Sequence, residues 1–224
     1  MQRHHFDEKL KELKETLFLM GNTSEKMVDL AIKSLMQKEE NLIQEVFLHE
    51  NEINHFHVEI DELCLNLLAL YQPIAADLRF ITGGMKINSE LERIADLAVN
   101  IGQSVSLILK QPQLEPHNNL PKMSLLSMEM VKKSLESFIN KDVNLAKSVL
   151  LMDNEVDKLK DQIFRELLTL GLSNPQILEQ ILIIILISRH LERIGDHATN
   201  IAEDVIFMVL GKDIRHHVEE VGIK

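Results

Sequence analysis

The chain has little of what turns, strands and disulfides require. Its 224 residues include eight glycines, five prolines, one cysteine and no tryptophan, and aromatic residues make up only 4%. So few turn formers exclude a β-sandwich or barrel, whose short strands need a turn signal every few residues. The single cysteine, Cys64, has no internal disulfide partner, which fits a reducing compartment. The longest unbroken apolar run, Ile181 to Ile187, is far too short to span a membrane. Met1-Gln2-Arg3-His4-His5 leads straight into charged sequence without the apolar stretch of a signal peptide, so a soluble, cytoplasmic protein is expected. Excess positive charge is also missing. The net charge is −11, and such a surface repels phosphate backbones, so no nucleic-acid partner is expected. There is no Gly-rich phosphate loop, nucleophile elbow or paired-cysteine motif, hence no sign of an enzyme.

What is present is helical. Apolar residues make up 45% of the chain, and Leu, Ile, Lys and Glu fill long periodic segments. Punctuation predicts six helices: about Phe6 to Met36, Glu39 to Leu70, Pro73 to Lys110, then 122–139, 141–170 and 175–210. Ser173-Asn174 before Pro175 reads as an N-cap pair with proline at the first helical position. Gly211 reads as a C-cap. Ile181 to Ile187 is expected to be helical, apolar on every side and well buried.

The halves repeat. Ser89-Glu90-Leu91-Glu92-Arg93-Ile94-Ala95-Asp96-Leu97-Ala98-Val99-Asn100-Ile101 returns 100 residues later as Arg189-His190-Leu191-Glu192-Arg193-Ile194-Gly195-Asp196-His197-Ala198-Thr199-Asn200-Ile201. Glu50-Asn51-Glu52-Ile53-Asn54 likewise matches Asp153-Asn154-Glu155-Val156-Asp157. The chain is therefore a tandem duplication of a three-helix unit: residues 1–111, a Pro-rich linker at 112–121, and residues 122–224. Ile87, Leu91, Ile94, Ala98, Ile101, Val105 and Ile108 form a seam in steps of four and three. Ile187, Leu191, Ile194, Ala198, Ile201, Val205 and Met208 repeat it, as bundle packing requires.

Carboxylates form a second pattern. Glu92, Asp96 and Asn100 lie four apart on one helix face, and Glu192, Asp196 and Asn200 repeat the row, with Asp204 a turn further. On the preceding helix Asp153, Asp157 and Asp161 form another row, whose first-half counterpart is weaker: Glu50, then Asn54. Helices joined by short connections pack antiparallel, which brings such rows face to face. Crowded like charges need a cation or protons. Oxygen-only ligation suits Mg, Mn, Ca or ferric iron, with Zn as a further choice. The rows lie far from the apolar seam, so the expected site is an outer groove. His190 and His197 flank the second row and are candidate extra ligands. Glu52-Ile53-Asn54-His55 is a lone Glu-x-x-His; a di-iron oxidase or iron-storage bundle, the alternative reading, would need two facing the core.

The doubled Glu-Arg-Ile-(Gly/Ala)-Asp-x-Ala-x-Asn-Ile motif, the duplication and Gln72-Pro73-Ile74-Ala75-Ala76-Asp77-Leu78-Arg79 together resemble the PhoU family of bacterial regulators of phosphate uptake and signalling. The resemblance covers about residues 5 to 215. It implies an all-α fold of two three-helix bundles related by pseudo-twofold symmetry. It implies multinuclear metal sites, most commonly iron or zinc, on Asp153, Asp157, Glu192 and Asp196 in the second bundle and on Glu50, Glu92 and Asp96 in the first. Asn54 departs from the acidic pattern there. It further implies a non-enzymatic negative regulator of phosphate uptake and of the starvation response. The partners would be the ATPase subunit of a phosphate ABC transporter and a membrane sensor histidine kinase, so membrane association would be indirect. Members often form homodimers.

Overall fold

A computed structural model describes residues 2–110 and 114–211. Among these residues six α-helices run in the order α1 (Gln2–Gln37), α2 (Asn41–Tyr71), α3 (Ala75–Leu109), α4 (Asn119–Asn140), α5 (Val143–Ser173) and α6 (Leu178–Leu210), with a 3-10 turn at Pro175–Ile177. The first three pack on one another as one bundle, and the last three as a second. The bundles join where α3 packs along α6 and α1 crosses α4.

Sequence periodicity explains the joint. Both seams are buried along their whole length, from Ile87 to Ile108 on α3 and from Ile187 to Met208 on α6. Helices carrying such stripes bury them against a neighbour because removal of apolar area from water outweighs the cost of ordering the chain. At its polar edges the α3–α6 joint is pinned by Lys86 on Asp204 (2.7 Å) and by the Arg79 Nε–H donating to the Met208 carbonyl (2.8 Å). That carbonyl lies in the last turn of α6, where a cation complements the helix dipole. Cys64 is a buried core residue; burial, then the Asp61 charge, push its thiol up to about 12.

Local chemistry sets the ends. Asp142 caps α5, accepting from the amides of Asn144 (2.9 Å) and Leu145 (3.1 Å). Gly211 ends α6 with φ of 68°, as a left-handed C-cap requires. Three expectations need correction. Ser173-Asn174 does not cap α6: the Ser173 hydroxyl bonds back to Thr169 inside α5 (3.0 Å), Asn174 makes no side-chain cap, and Pro175 opens the 3-10 turn instead. Helix α4 starts at Asn119, so Pro121 falls in its first turn, where a missing N–H costs nothing. Residues 111–113 of the Pro-rich stretch lie outside the described residues. The run from Ile181 to Ile187 is helical, but only Ile181, Ile184 and Ile187 are buried; Leu182 and Leu186 face solvent.

Candidate functional site

The four acidic residues expected in the second bundle lie on facing helices, near enough for their charges to interact. Helices α5 and α6 are antiparallel about the Asn174–Ile177 turn, which sets Asp153 and Asp157 across from Asp196 and Glu192. Their mutual field shows in their proton affinities. Burial, followed by the charges of Asp196, Asp157 and Glu192, pushes the Asp153 carboxyl up to about 6. Burial, Glu192 and Asp157 raise Asp196 in the same direction. Asp153 lies over Gly195: a Cβ built there would sit 3.7 Å from Asp153 Oδ1 and 3.6 Å from Met130. That is ordinary contact, so the alanine found at the equivalent Ala95 would be accommodated.

The cation among these carboxylates is Lys160. Its ammonium donates to Asp157 Oδ1 at 3.0 Å and to Glu192 Oε1 at 2.9 Å, linking α5 to α6. The two hydrogen bonds hold its pKa above the usual lysine range, against the effect of burial. Beside it a groove of about 420 Å³ is lined by Lys160, Phe164, Arg189 and Glu192 among others. The sequence reading missed Lys160, although a lysine three residues after Asp157 was a visible i,i+3 partner. Among the described residues no group of three or more His, Cys, Asp or Glu side chains converges as a ready ligand set. The donors fit a hard cation in chemistry, being oxygen-only and short of positive charge. As placed, they are served by an ammonium.

The acidic row on α6 splits. Glu192 and Asp196 face α5, whereas Asn200 and Asp204 turn toward α3, on Glu90 (3.1 Å) and Lys86 (2.7 Å). At 3.6 residues per turn, each four-residue step rotates by about 40°, so a row of four drifts round the helix by about a third of a turn. His197 is not turned to the acidic groove either. Its Nδ1–H donates to Glu90 Oε2 at 2.6 Å across the α3–α6 joint, with both side chains largely buried. Burial alone would raise Glu90, but the His197 and Asn200 hydrogen bonds and the His197 and Arg93 charges outweigh it and hold the carboxyl below its usual value. Burial, then Arg193 and Arg189, push the half-buried His190 imidazole down, and its Nδ1 has no partner among the described residues. The signal for this polar joint was the mismatch at an otherwise repeated position, Glu90 in one copy and His190 in the other.

The first bundle is less organised. Glu50 and Glu92 are half-buried and Asp96 is exposed, and none makes an ion pair or side-chain hydrogen bond among the described residues. His55 is exposed and makes no Glu-x-x-His pair facing the core. In place of Lys160, the first half has His57, whose Nε2 lies 3.8 Å from Asp61. Fully buried Asn88 crosses from α3 to donate to the His57 carbonyl (2.9 Å) and to Asp61 (3.0 Å).

Fold and grooves define a class: a duplicated helical-bundle protein whose polar groups lie between paired helices on its outside. The PhoU domain model matches residues 17–105 and 120–205, and the chain belongs to the PhoU family. It is 38% identical over 214 residues to the phosphate-specific transport system accessory protein PhoU homolog of Aquifex aeolicus, spanning 95% of this chain and 97% of that one. The homolog from Pseudomonas aeruginosa is 36% identical over 219 residues, spanning 95% and 90%. The crystal structure of PhoU from Pseudomonas aeruginosa superposes with a TM-score of 0.86 at 35% identity, covering 92% of this chain and all of that one. That of the phosphate transport system regulatory protein PhoU from Streptococcus pneumoniae gives 0.85 at 28% identity, covering 93% and 98%. Both relatives are named accessory proteins.

Proposed function

We propose that the chain is an accessory protein of a phosphate-specific transport system, acting from the cytoplasm by docking. It restrains phosphate uptake and the starvation response through the ATPase subunit of a phosphate ABC transporter and a sensor histidine kinase. No helix among the described residues is long and apolar enough to cross a membrane, so any membrane contact would run through such partners. The observation that carries the docking reading is apolar exposure on the second bundle. Phe164, Leu168 and Leu172 on α5, and Leu178, Leu182 and Leu186 on α6, stand at four-residue spacing and remain exposed. Such rows suit a partner helix or groove. Two domains, residues 1–111 and 122–224, and a homodimer complete the reading. Leu182→Glu with Leu186→Glu should weaken capture of the purified ATPase subunit at least tenfold without changing helicity. Undiminished capture would rule out this face.

The same proposal assigns a metal to the α5–α6 groove, where Asp153, Asp157, Glu192 and Asp196 would hold an oxygen-ligated cation, iron or zinc first. Glu50, Glu92 and Asp96 form the weaker first-bundle candidate. The bound ion would supply the charge neutralisation that Lys160 now provides. Lys160 and the ion compete for the same oxygens, so Lys160→Met should tighten manganese or zinc binding, and Glu192→Ala with Asp196→Ala should abolish it. Elemental analysis and calorimetry read both effects; metal content unchanged by the double substitution would exclude the site.

A further inference from the structure

We propose that Lys14 and Lys141 form a binding site for a small inorganic phosphate-type oxyanion where α1, α3 and the α4–α5 turn meet. The Lys14 ammonium lies 5.1 Å and the Lys141 ammonium 5.5 Å from the centroid of one ring, that of Phe80. Phe138 is stacked on that ring, with centroids 4.4 Å and planes 15° apart, and takes one of its faces. The two ammoniums, sharing one ring, therefore lie within about one Debye length of each other. Phe80 itself is buried. A ring quadrupole attracts each cation singly but leaves their mutual repulsion in place.

Neither ammonium has a carboxylate or hydrogen-bond partner among the described residues. Asp142, next to Lys141, spends its carboxylate on the first amides of α5. The other half of the molecule gives the contrast. Lys38 follows α1 as Lys141 follows α4, both in the left-handed region with φ of 60° and 55°. Lys38 is matched by Glu115 at 2.7 Å. In a chain of net charge −11, one lysine corner is thus compensated and the other is left with two bare cations.

Two uncompensated lysine heads on a fixed aromatic base suit a compact, multiply charged oxyanion, for which lysine acts as a point charge. With Phe80 buried there is no open ring on which a nucleobase could stack, so the ligand class is inorganic: phosphate or pyrophosphate. The site needs no metal and shares no residue with the α5–α6 groove, and it stands without the docking reading.

The test is titration of the intact chain with phosphate, and separately with pyrophosphate, by phosphorus NMR and calorimetry in low-salt buffer containing EDTA. Wild type should bind saturably and more weakly as sodium chloride rises. Lys14→Gln and Lys141→Gln should each weaken binding about tenfold, and the double variant should lose it. Lys141→Arg should retain it, as should Lys26→Gln, which lies away from the ring. Absence of saturable binding in wild type would overturn the proposal, as would a double variant, folded by circular dichroism, that binds like wild type. If the double variant does not fold, the folded single variants decide: undiminished affinity in both overturns the proposal.

Discussion

Replacing Asp153 with asparagine should stabilise the metal-free protein at neutral pH. The Asp153 carboxyl is pushed up to about 6 by burial and by Asp196, Asp157 and Glu192, against about 3.9 in an unfolded chain. The folded state therefore binds this proton more tightly than the unfolded state. Linkage fixes the sign: stability falls as pH rises from about 4 to about 6 and stays low above that window. Two units correspond to about 3 kcal/mol. Asp153 is only half-buried, and water screens the repulsion, so about 1–2 kcal/mol is expected. For a chain of this size that is a rise in Tm of roughly 2–8 °C. Thermal and urea unfolding of both proteins in EDTA between pH 4 and pH 8 reads the effect. The variant should gain at pH 8, and the gap should close near pH 4, where wild-type Asp153 is protonated. A variant less stable than wild type at pH 8, or an offset that ignores pH, would refute the reasoning that these carboxylates crowd one another.

Lys160→Met should act in the opposite direction, costing about 1–2 kcal/mol at low salt because Asp157 and Glu192 lose their shared ammonium; urea unfolding with and without added salt checks it. Glu90→Gln should cost about 2–3 kcal/mol at pH 7 by weakening the buried contact to His197. Because the Glu90 carboxyl is held below its usual value, the stability that it contributes is lost as pH falls through the carboxylate range, so this penalty should shrink toward pH 4 in the same melts. Phe138→Ala should cost about 3–5 kcal/mol and, by uncovering Phe80, loosen the seat of Lys14 and Lys141, which calorimetric unfolding followed by phosphate titration would show.

How much was legible can be traced residue by residue. The seams of α3 and α6 were readable because burial on a helix repeats every three or four positions and the duplication printed the pattern twice. The acidic quartet was readable for the same reason, since Asp153, Asp157, Glu192 and Asp196 recur at one helical spacing on helices that must pack antiparallel. The row beyond them was over-read: Asn200 and Asp204 rotate away with the helix and end on α3. Leu182 and Leu186 were over-read too, because an unbroken apolar run shows what could be buried but not whether a neighbour exists to bury it.

Residue order alone sets the helical architecture, its duplication and which carboxylates share a face. Those are properties of spacing along one chain, fixed by backbone hydrogen bonding and by the 3.6-residue turn. Tertiary structure alone decided that Lys160 neutralises the groove, that His197 serves Glu90 across the joint, and that Lys14 and Lys141 meet on Phe80. Such contacts join residues on different helices or choose among partners already within reach. They depend on how far each helix rotates and slides when its seam is packed, and no one-dimensional periodicity carries that information.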